Sequence, residues 1–469
     1  MQLDAAHCTH FGLLHDKFIG SGRLRFDRTI VGGTLRFACG RRLGAKRRVF
    51  LRIHLRYARP ERRGCRCHQY ADLFCIGRRV TLSIQTANGA QVDLTLGSQD
   101  NGLAVQVQVS KGKLTDAERD ALQKLAGGFQ DAIDGLAAVP PRLNLGGLTQ
   151  FDPALLSSVD LHASVPAGGS DKQTIDFHAD SKQRTVSANG PSGAMKVSVD
   201  TSNSAILGSA AQQKQAIDRY LKQFDAAQNR GHGGASLMGM FKDAFREMNS
   251  NIGTQQQQQQ QRAQNPSAIW LNKTDQSMLT GLADFSASVT QNADWSNPMR
   301  RDESDTFSYQ TSQNSSVKGS GQLNRSITQD QQSHLSASYH ESLLADVPLK
   351  LSTDRQSQNY YYRQIKDDAS SHASIAYDKG ALVSASLKQT ASQSTRVRKY
   401  VMGNLEEDTT TPSQATLSRD FLDLLKPLQK KETSHAPDDM NTLQQALSTI
   451  NNLVYLQADP AQLRSEGLT

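Results

Sequence analysis

From residue 80 onward, short runs in which every second residue is apolar recur along the chain. A period of two belongs to a strand with one face in a core and the other in water. Val80, Leu82 and Ile84 alternate with Thr81, Ser83 and Gln85, and after Ala87, Asn88 and Gly89 the alternation resumes at Val92, Leu94 and Leu96. Both runs must present their apolar residues to one side. Ile84 opposite Val92 and Leu82 opposite Leu94 satisfies this, and it leaves a three-residue hairpin loop with Gly89 at the left-handed position. Leu103, Val105, Val107 and Val109 predict a third strand. Thr115 and Glu118 then have the spacing of a capping box, followed by Leu122, Leu125, Phe129, Ile133 and Leu136 at helical intervals. Gly127 and Gly128 are expected to weaken this helix locally, and Pro140 and Pro141 to end it.

A second group of strands is predicted over 159–165, 174–179, 185–188 and 195–199, with turns at Asp180-Ser181 and Asn189-Gly190. If Leu161, Ala163 and Val165 face Ile175, Phe177 and Ala179, then Asp160, His162, Asp176, His178 and Asp180 share the opposite face of one hairpin. Two imidazoles with three carboxylates are a candidate site for a divalent metal. The alternative is a solvated face carrying cross-strand His–Asp pairs. Two amphipathic helices follow, one marked by Ile217, Tyr220, Leu221 and Phe224, the other by Leu237, Phe241, Phe245 and Met248. His232, in the glycine-rich step between them, is expected to be a loop residue.

Seven glutamines at 255–261 form a low-complexity run without apolar content, which reads as a linker over 251–268. Beyond it, 20 of the 43 residues from Glu303 to Ala345 are Ser, Thr or Gln. Large residues nevertheless keep strand spacing at Phe285, Ala287 and Val289, at Phe307, Tyr309 and Thr311, and at Leu335, Ala337 and Tyr339. The same holds for Tyr360 and Tyr362, for Ala373, Ile375 and Tyr377, and for Ala381, Val383, Ala385 and Leu387. This predicts a meander with one thin apolar face and one solvated Ser/Thr/Gln face, where His334, His340 and His372 stand in the polar phase. Two terminal helices are expected to cover the apolar side: one carrying Phe421, Leu422, Leu424 and Leu425 and broken near Pro427, the other starting near Pro437 with Leu443, Leu447, Ile450 and Val454. The fold class expected is α+β: antiparallel β-meanders packed with amphipathic helices, divided as 80–250, a linker over 251–268, and 269–469.

Composition matters most for residues 1–79. They hold 16 Arg and two Lys against five acidic residues, together with all five cysteines, while the rest of the chain carries 35 basic and 40 acidic residues. Four readings compete: a basic arm for nucleic acid, a zinc site from Cys65, Cys67, His68 and Cys75, a targeting peptide, and a mistranslated start. The single residue between Cys65 and Cys67 departs from the usual two-residue zinc spacer. The absence of any periodic face favours the mistranslated or disordered reading, so a nucleic-acid partner is expected only if this segment is genuine. The chain shows no apolar run of the roughly 18 residues a membrane helix needs, and no classical signal peptide follows Met1. Cytoplasmic location and export without a cleaved signal both remain open.

No G-x-G-x-x-G, Walker, H-E-x-x-H or G-x-S-x-G pattern occurs, so no cofactor is expected. The acidic pairs Asp367-Asp368 and Glu406-Glu407 read as solvated turns. The segments Val80–Thr86 (VTLSIQT), Leu114–Arg119 (LTDAER) and Phe151–Leu161 (FDPALLSSVDL) resemble an uncharacterised family of Gram-negative bacterial proteins, some of whose members carry the label lactate dehydrogenase. That label implies an oxidoreductase, whereas the quoted segments are packing and capping motifs with no catalytic residue to carry over. The function expected from the residues is that of a non-enzymatic structural or interaction protein, meeting a partner through a sheet edge or the polar sheet face. The alternative is an enzyme, either an oxidoreductase or metal-dependent through His162 and His178.

Overall fold

The first hairpin has the register its alternation requires. Strands β1 (Arg79–Thr86) and β2 (Gln91–Gln99) pair with Ile84 opposite Val92 and Leu82 opposite Leu94, and Gly89 takes φ +78°. The computed structural model describes residues 79–99, 102–138, 140–168, 171–253, 269–293, 296–344, 347–428 and 437–467. The arginine- and cysteine-rich segment and the glutamine run therefore lie outside the described residues.

Strand β3 (Gly102–Lys111) pairs with β2, placing Val107 opposite Leu94 and Val109 opposite Val92. Helix α1 (Asp116–Ala137) follows on the expected capping box: the Glu118 carboxylate accepts from the Thr115 amide at 2.7 Å, and the Thr115 hydroxyl accepts from the Glu118 amide at 3.3 Å. Burial pushes the Glu118 carboxyl up, but hydrogen bonds from Thr115, Thr86 and Asn88 outweigh it and hold the group below the usual range. The cap thus ties the helix to the hairpin turn through Asn88. The glycine pair in α1 is only partly a weakness. At Gly128 a Cβ would stand 2.5 Å from the backbone carbon of Gly147, so glycine is what lets the helix lie against the turn Gly146–Leu148.

Strands β4 (Leu156–Gly168), β5 (Asp171–Asp180), β6 (Gln183–Gly190) and β7 (Gly193–Asp200) continue the sheet, and α2 (Ala210–Gly231) and α3 (Ala235–Asn249) cross its apolar face. Tyr220, Phe224, Phe241 and Phe245 pack with Phe285 and Tyr309, with ring centroids 4.9–5.7 Å apart in mostly tilted or edge-on pairs. His232 caps α2 in the left-handed conformation and stacks on Tyr339 at 3.8 Å. Arg184 is buried under the end of α3, donating to the carbonyls of Met248, Ser250, Asn251 and Thr149. Burial lowers its pKa to about 10.

After the short helix α4 (Lys273–Ser277), strand β8 (Asp284–Gln291) pairs with β7 along its whole length, from Gly193 opposite Gln291 to Asp200 opposite Asp284. The segments on either side of the glutamine run therefore share one sheet and one apolar core. A small two-stranded hairpin, β9 (Ser296–Asn297) and β10 (Arg300–Ser304), precedes the long meander β11 (Thr306–Gly321), β12 (Asn324–Ser342), β13 (Tyr360–Asp378), β14 (Ala381–Val401) and β15 (Asn404–Asp420). Among the described residues thirteen strands form one antiparallel sheet, ordered β15-β14-β13-β12-β11-β8-β7-β6-β5-β4-β1-β2-β3. Most of its apolar positions lie on one face, where helices α5 (Leu422–Leu428), α6 (Pro437–Val454) and α7 (Pro460–Gly467) join α1 to α3. The fold is α+β, as expected, and no described helix is long and apolar enough to cross a membrane.

The structure departs from the sequence reading in several places. A bulge at Ala376/Tyr377 shifts the parity of β14, so Leu382 is buried and Val383 is 50% exposed; the alternation at Ala381 and Val383 pointed the wrong way. The meander's glutamines are not all on the solvated face. Gln313, Gln329, Gln331 and Gln389 point inward and are buried, and they hydrogen-bond the C-terminal end of α6 and the irregular segments that cross the sheet. Gln331 donates to the Val454 carbonyl at 2.7 Å and accepts from the Leu456 amide at 3.1 Å. Gln389 donates to Leu453 and accepts from the Gln457 amide, while Gln313 donates to Leu282 and Ala283. The thin apolar face is thus completed by amides that supply partners to otherwise unpaired backbone groups. Asp367-Asp368 is mid-strand rather than a turn, with Asp367 buried beneath α2 and Asp368 on the open face.

Candidate functional site

The face of the sheet away from the helices carries the histidine and aspartate residues singled out in the sequence. In β4 and β5, Asp160 stands opposite His178 and His162 opposite Asp176, each imidazole Nδ1 lying 2.6 Å from its carboxylate. Asp180 completes the group from the strand end, 3.3 Å from His178 Nε2. Burial lowers the His178 pKa, but Asp160 and Asp180 outweigh it and raise the group above its ordinary value. The paired carboxylates favour the protonated ring, whereas metal coordination uses the neutral imidazole. Among the described residues no set of three or more His, Cys, Asp or Glu side chains is gathered to hold a metal ion.

The arrangement recurs farther along the same face. Asp330 pairs with His372 at 2.6 Å and His334 with Asp368 at 2.8 Å across β12 and β13, again as two reciprocal pairs. His334 and His372 are about half exposed, as the polar phase predicted. A shallow depression of about 350 Å³ runs over β1 and β4 to β7, and another of about 590 Å³ over β7, β8 and β11 to β15; both include Lys196. Their walls include hydroxyls, amides and the His–Asp pairs, so this face offers many hydrogen-bonding groups.

His340 breaks the pattern, because its side chain is 1% exposed rather than solvated. It lies on the open face under the β9–β10 hairpin, between Asp305 (2.6 Å) and Glu303 (3.4 Å). Tyr360 donates to Glu303 at 2.6 Å, Asn297 donates to the Tyr360 hydroxyl at 2.8 Å, and Arg300 lies 4.1 Å from the centre of the Tyr400 ring. Tyr360, Tyr362 and Tyr400 form a small second core on this face, so Tyr360 and Tyr362 do not continue the helix-side pattern of β13. The cluster is closed over by its own hairpin, an arrangement suited to holding that hairpin down. Sequence reasoning missed it because Glu303 and Asn297 come from short irregular strands with no periodic signal.

The two free edges of the sheet differ. Along β15 the edge is guarded: Glu406, Glu407 and Asp408 place carboxylates on it, and Pro412 removes a donor. Helix α7 also lies against it, with Arg464 donating to the Gln414 carbonyl at 2.9 Å. Strand β3 pairs with β2 alone among the described residues. Its ten residues include neither acid nor proline, and their one charge is the terminal Lys111. On the helix side, a cleft of about 750 Å³ lies between α2 and the segment 455–466, floored by β11 to β14.

No family model matches the chain, and no curated protein or solved structure matches it.

Proposed function

We propose that this is a non-enzymatic interaction protein that takes up an extended segment of a partner polypeptide along the outer edge of β3. The observation that carries the reading is the asymmetry of the edges. Among the described residues, a ten-residue strand ending a thirteen-stranded sheet leaves a row of unpaired amides and carbonyls, and sheets normally blunt such an edge with charge, proline or a covering element. The β15 edge has all three, whereas among the described residues β3 has none within its span before Lys111. Strand addition supplies affinity through main-chain hydrogen bonds and register through alternate side chains. The polar face, with its two His–Asp arrays, then remains solvated beside the docked strand.

A labelled peptide of the β3 sequence, flanked by lysines for solubility, is a defined strand probe. Fluorescence anisotropy should show saturable binding to the protein and its loss in Val107→Pro, whose amide points away from β2, with the variant still folded by circular dichroism. Absence of binding to the unaltered protein, or equal binding to the variant, would overturn the reading.

A further inference from the structure

The cleft beside α2 belongs to neither the β3 edge nor the polar face. Its volume of about 750 Å³ falls in the range of small-molecule sites. The floor is formed in part by Tyr309 and Leu335, both buried, and apolar walls come from Ala226 and Ala227 on one side and Leu456 and Ala458 on the other.

The charged groups of the two walls differ in what they already bind. On the 455–466 wall, Gln457 donates to Gln462 and Glu466, and Asp459 accepts from the Ala461 amide to cap α7. On the floor, Asp367 is taken by Arg230 through two hydrogen bonds, the longer 2.9 Å. At the mouth, Arg219 donates to Asn452 at 3.1 Å and lies 5.3 Å from the centre of the Tyr455 ring. Lys222 and Asn229, on the exposed side of α2, line the cleft with donors that make no hydrogen bond or ion pair among the described residues. Asp218, one turn before Lys222, lies outside the lining.

We infer that this cleft binds an amphipathic anion, with its apolar body over Tyr309 and Leu335 and its carboxylate or phosphate against Lys222 and Asn229. An acceptor-rich head supplies what those donors lack, on the wall opposite the Asp459 and Glu466 carboxylates, which accept from the Ala461 amide and Gln457.

Calorimetry with dodecanoate below its micelle concentration tests this in the full chain. Saturable binding of one ligand per chain is expected, weakened at least tenfold by Lys222→Glu and abolished by Ala226→Trp, which fills the mouth from an exposed helix position. Both variants should melt with the unaltered protein. Absence of saturable binding, unchanged binding in both variants, or equal binding of dodecyltrimethylammonium would overturn the proposal.

Discussion

The Tyr360 hydroxyl donates to the Glu303 carboxylate at 2.6 Å, with both side chains withdrawn from solvent. Glu303 sits on the β9–β10 hairpin and Tyr360 on the sheet, so this bond is part of what holds the hairpin against the open face. Tyr360→Phe removes the donor to Glu303 and the acceptor for Asn297. Leaving buried groups unsatisfied costs about 1–3 kcal/mol, and urea unfolding should show a loss of that order. A loss below about 0.5 kcal/mol would mean that water replaces the hydroxyl.

The same cluster sets a pH dependence. Burial pushes the Glu303 carboxyl up, but hydrogen bonds from His340, Tyr360 and Tyr400 and the charge of Arg398 hold it below its ordinary value. Its contribution is therefore present above the unfolded carboxyl pKa, about 4.3, and is lost as pH falls through the lower folded value. Burial lowers the His340 pKa, but Asp305 and Glu303 outweigh it and raise the group. That contribution is complete below about pH 6.5 and is lost as pH rises through the raised folded value. His340→Gln should be less stable than the unaltered protein near pH 5.5, with a gap that narrows toward pH 9. Urea midpoints at the two pH values measure it; a constant gap would contradict the assignment.

Glutamines on the two faces of one strand should behave oppositely. Gln331→Leu strips the acceptor from the Leu456 amide and the nearer acceptor from the Tyr220 hydroxyl, while the Val454 carbonyl keeps Ser371, at about 1–3 kcal/mol for each group left unpaired. Gln332→Ala, on the open face, should stay within about 0.5 kcal/mol. Chemical denaturation of both variants makes the comparison, and equal effects would count against an inward amide ladder.

The neighbouring glycines of α1 give a second contrast. Gly127 has open space where a Cβ would go, so Gly127→Ala should stabilise the helix by up to about 1 kcal/mol. At Gly128 the Cβ would meet Gly147 backbone, and Gly128→Ala should cost about 1–3 kcal/mol. Melting temperatures that move in the same direction would contradict this packing.

Much of the sheet was legible because its signal is local. The hairpin register, the Thr115 cap and the helix starting at Pro437 each follow from a few residues in sequence. Parity fails where a bulge intervenes, as between Val383 and Leu382, because nothing local marks an extra residue. The inward glutamines and buried His340 depend on segments more than thirty residues away: Val454 for Gln331, Asp305 for His340. Composition assigns such residues to solvent, whereas unpaired backbone and carboxylates elsewhere draw them inside. The five residues Asp160, His162, Asp176, His178 and Asp180 were placed on one face correctly, but how they pair is a matter of register and charge.

The most direct test of strand addition is amide hydrogen exchange along β3, measured with and without the strand peptide. In the free protein, the amides of Gly102–Lys111 that point away from β2 should exchange quickly while their inward neighbours are protected. Saturating peptide should protect the outward set and leave β15 unchanged. Outward amides already protected in the free protein, or protection by peptide appearing along β15 instead, would contradict the assignment of the β3 edge as the binding site.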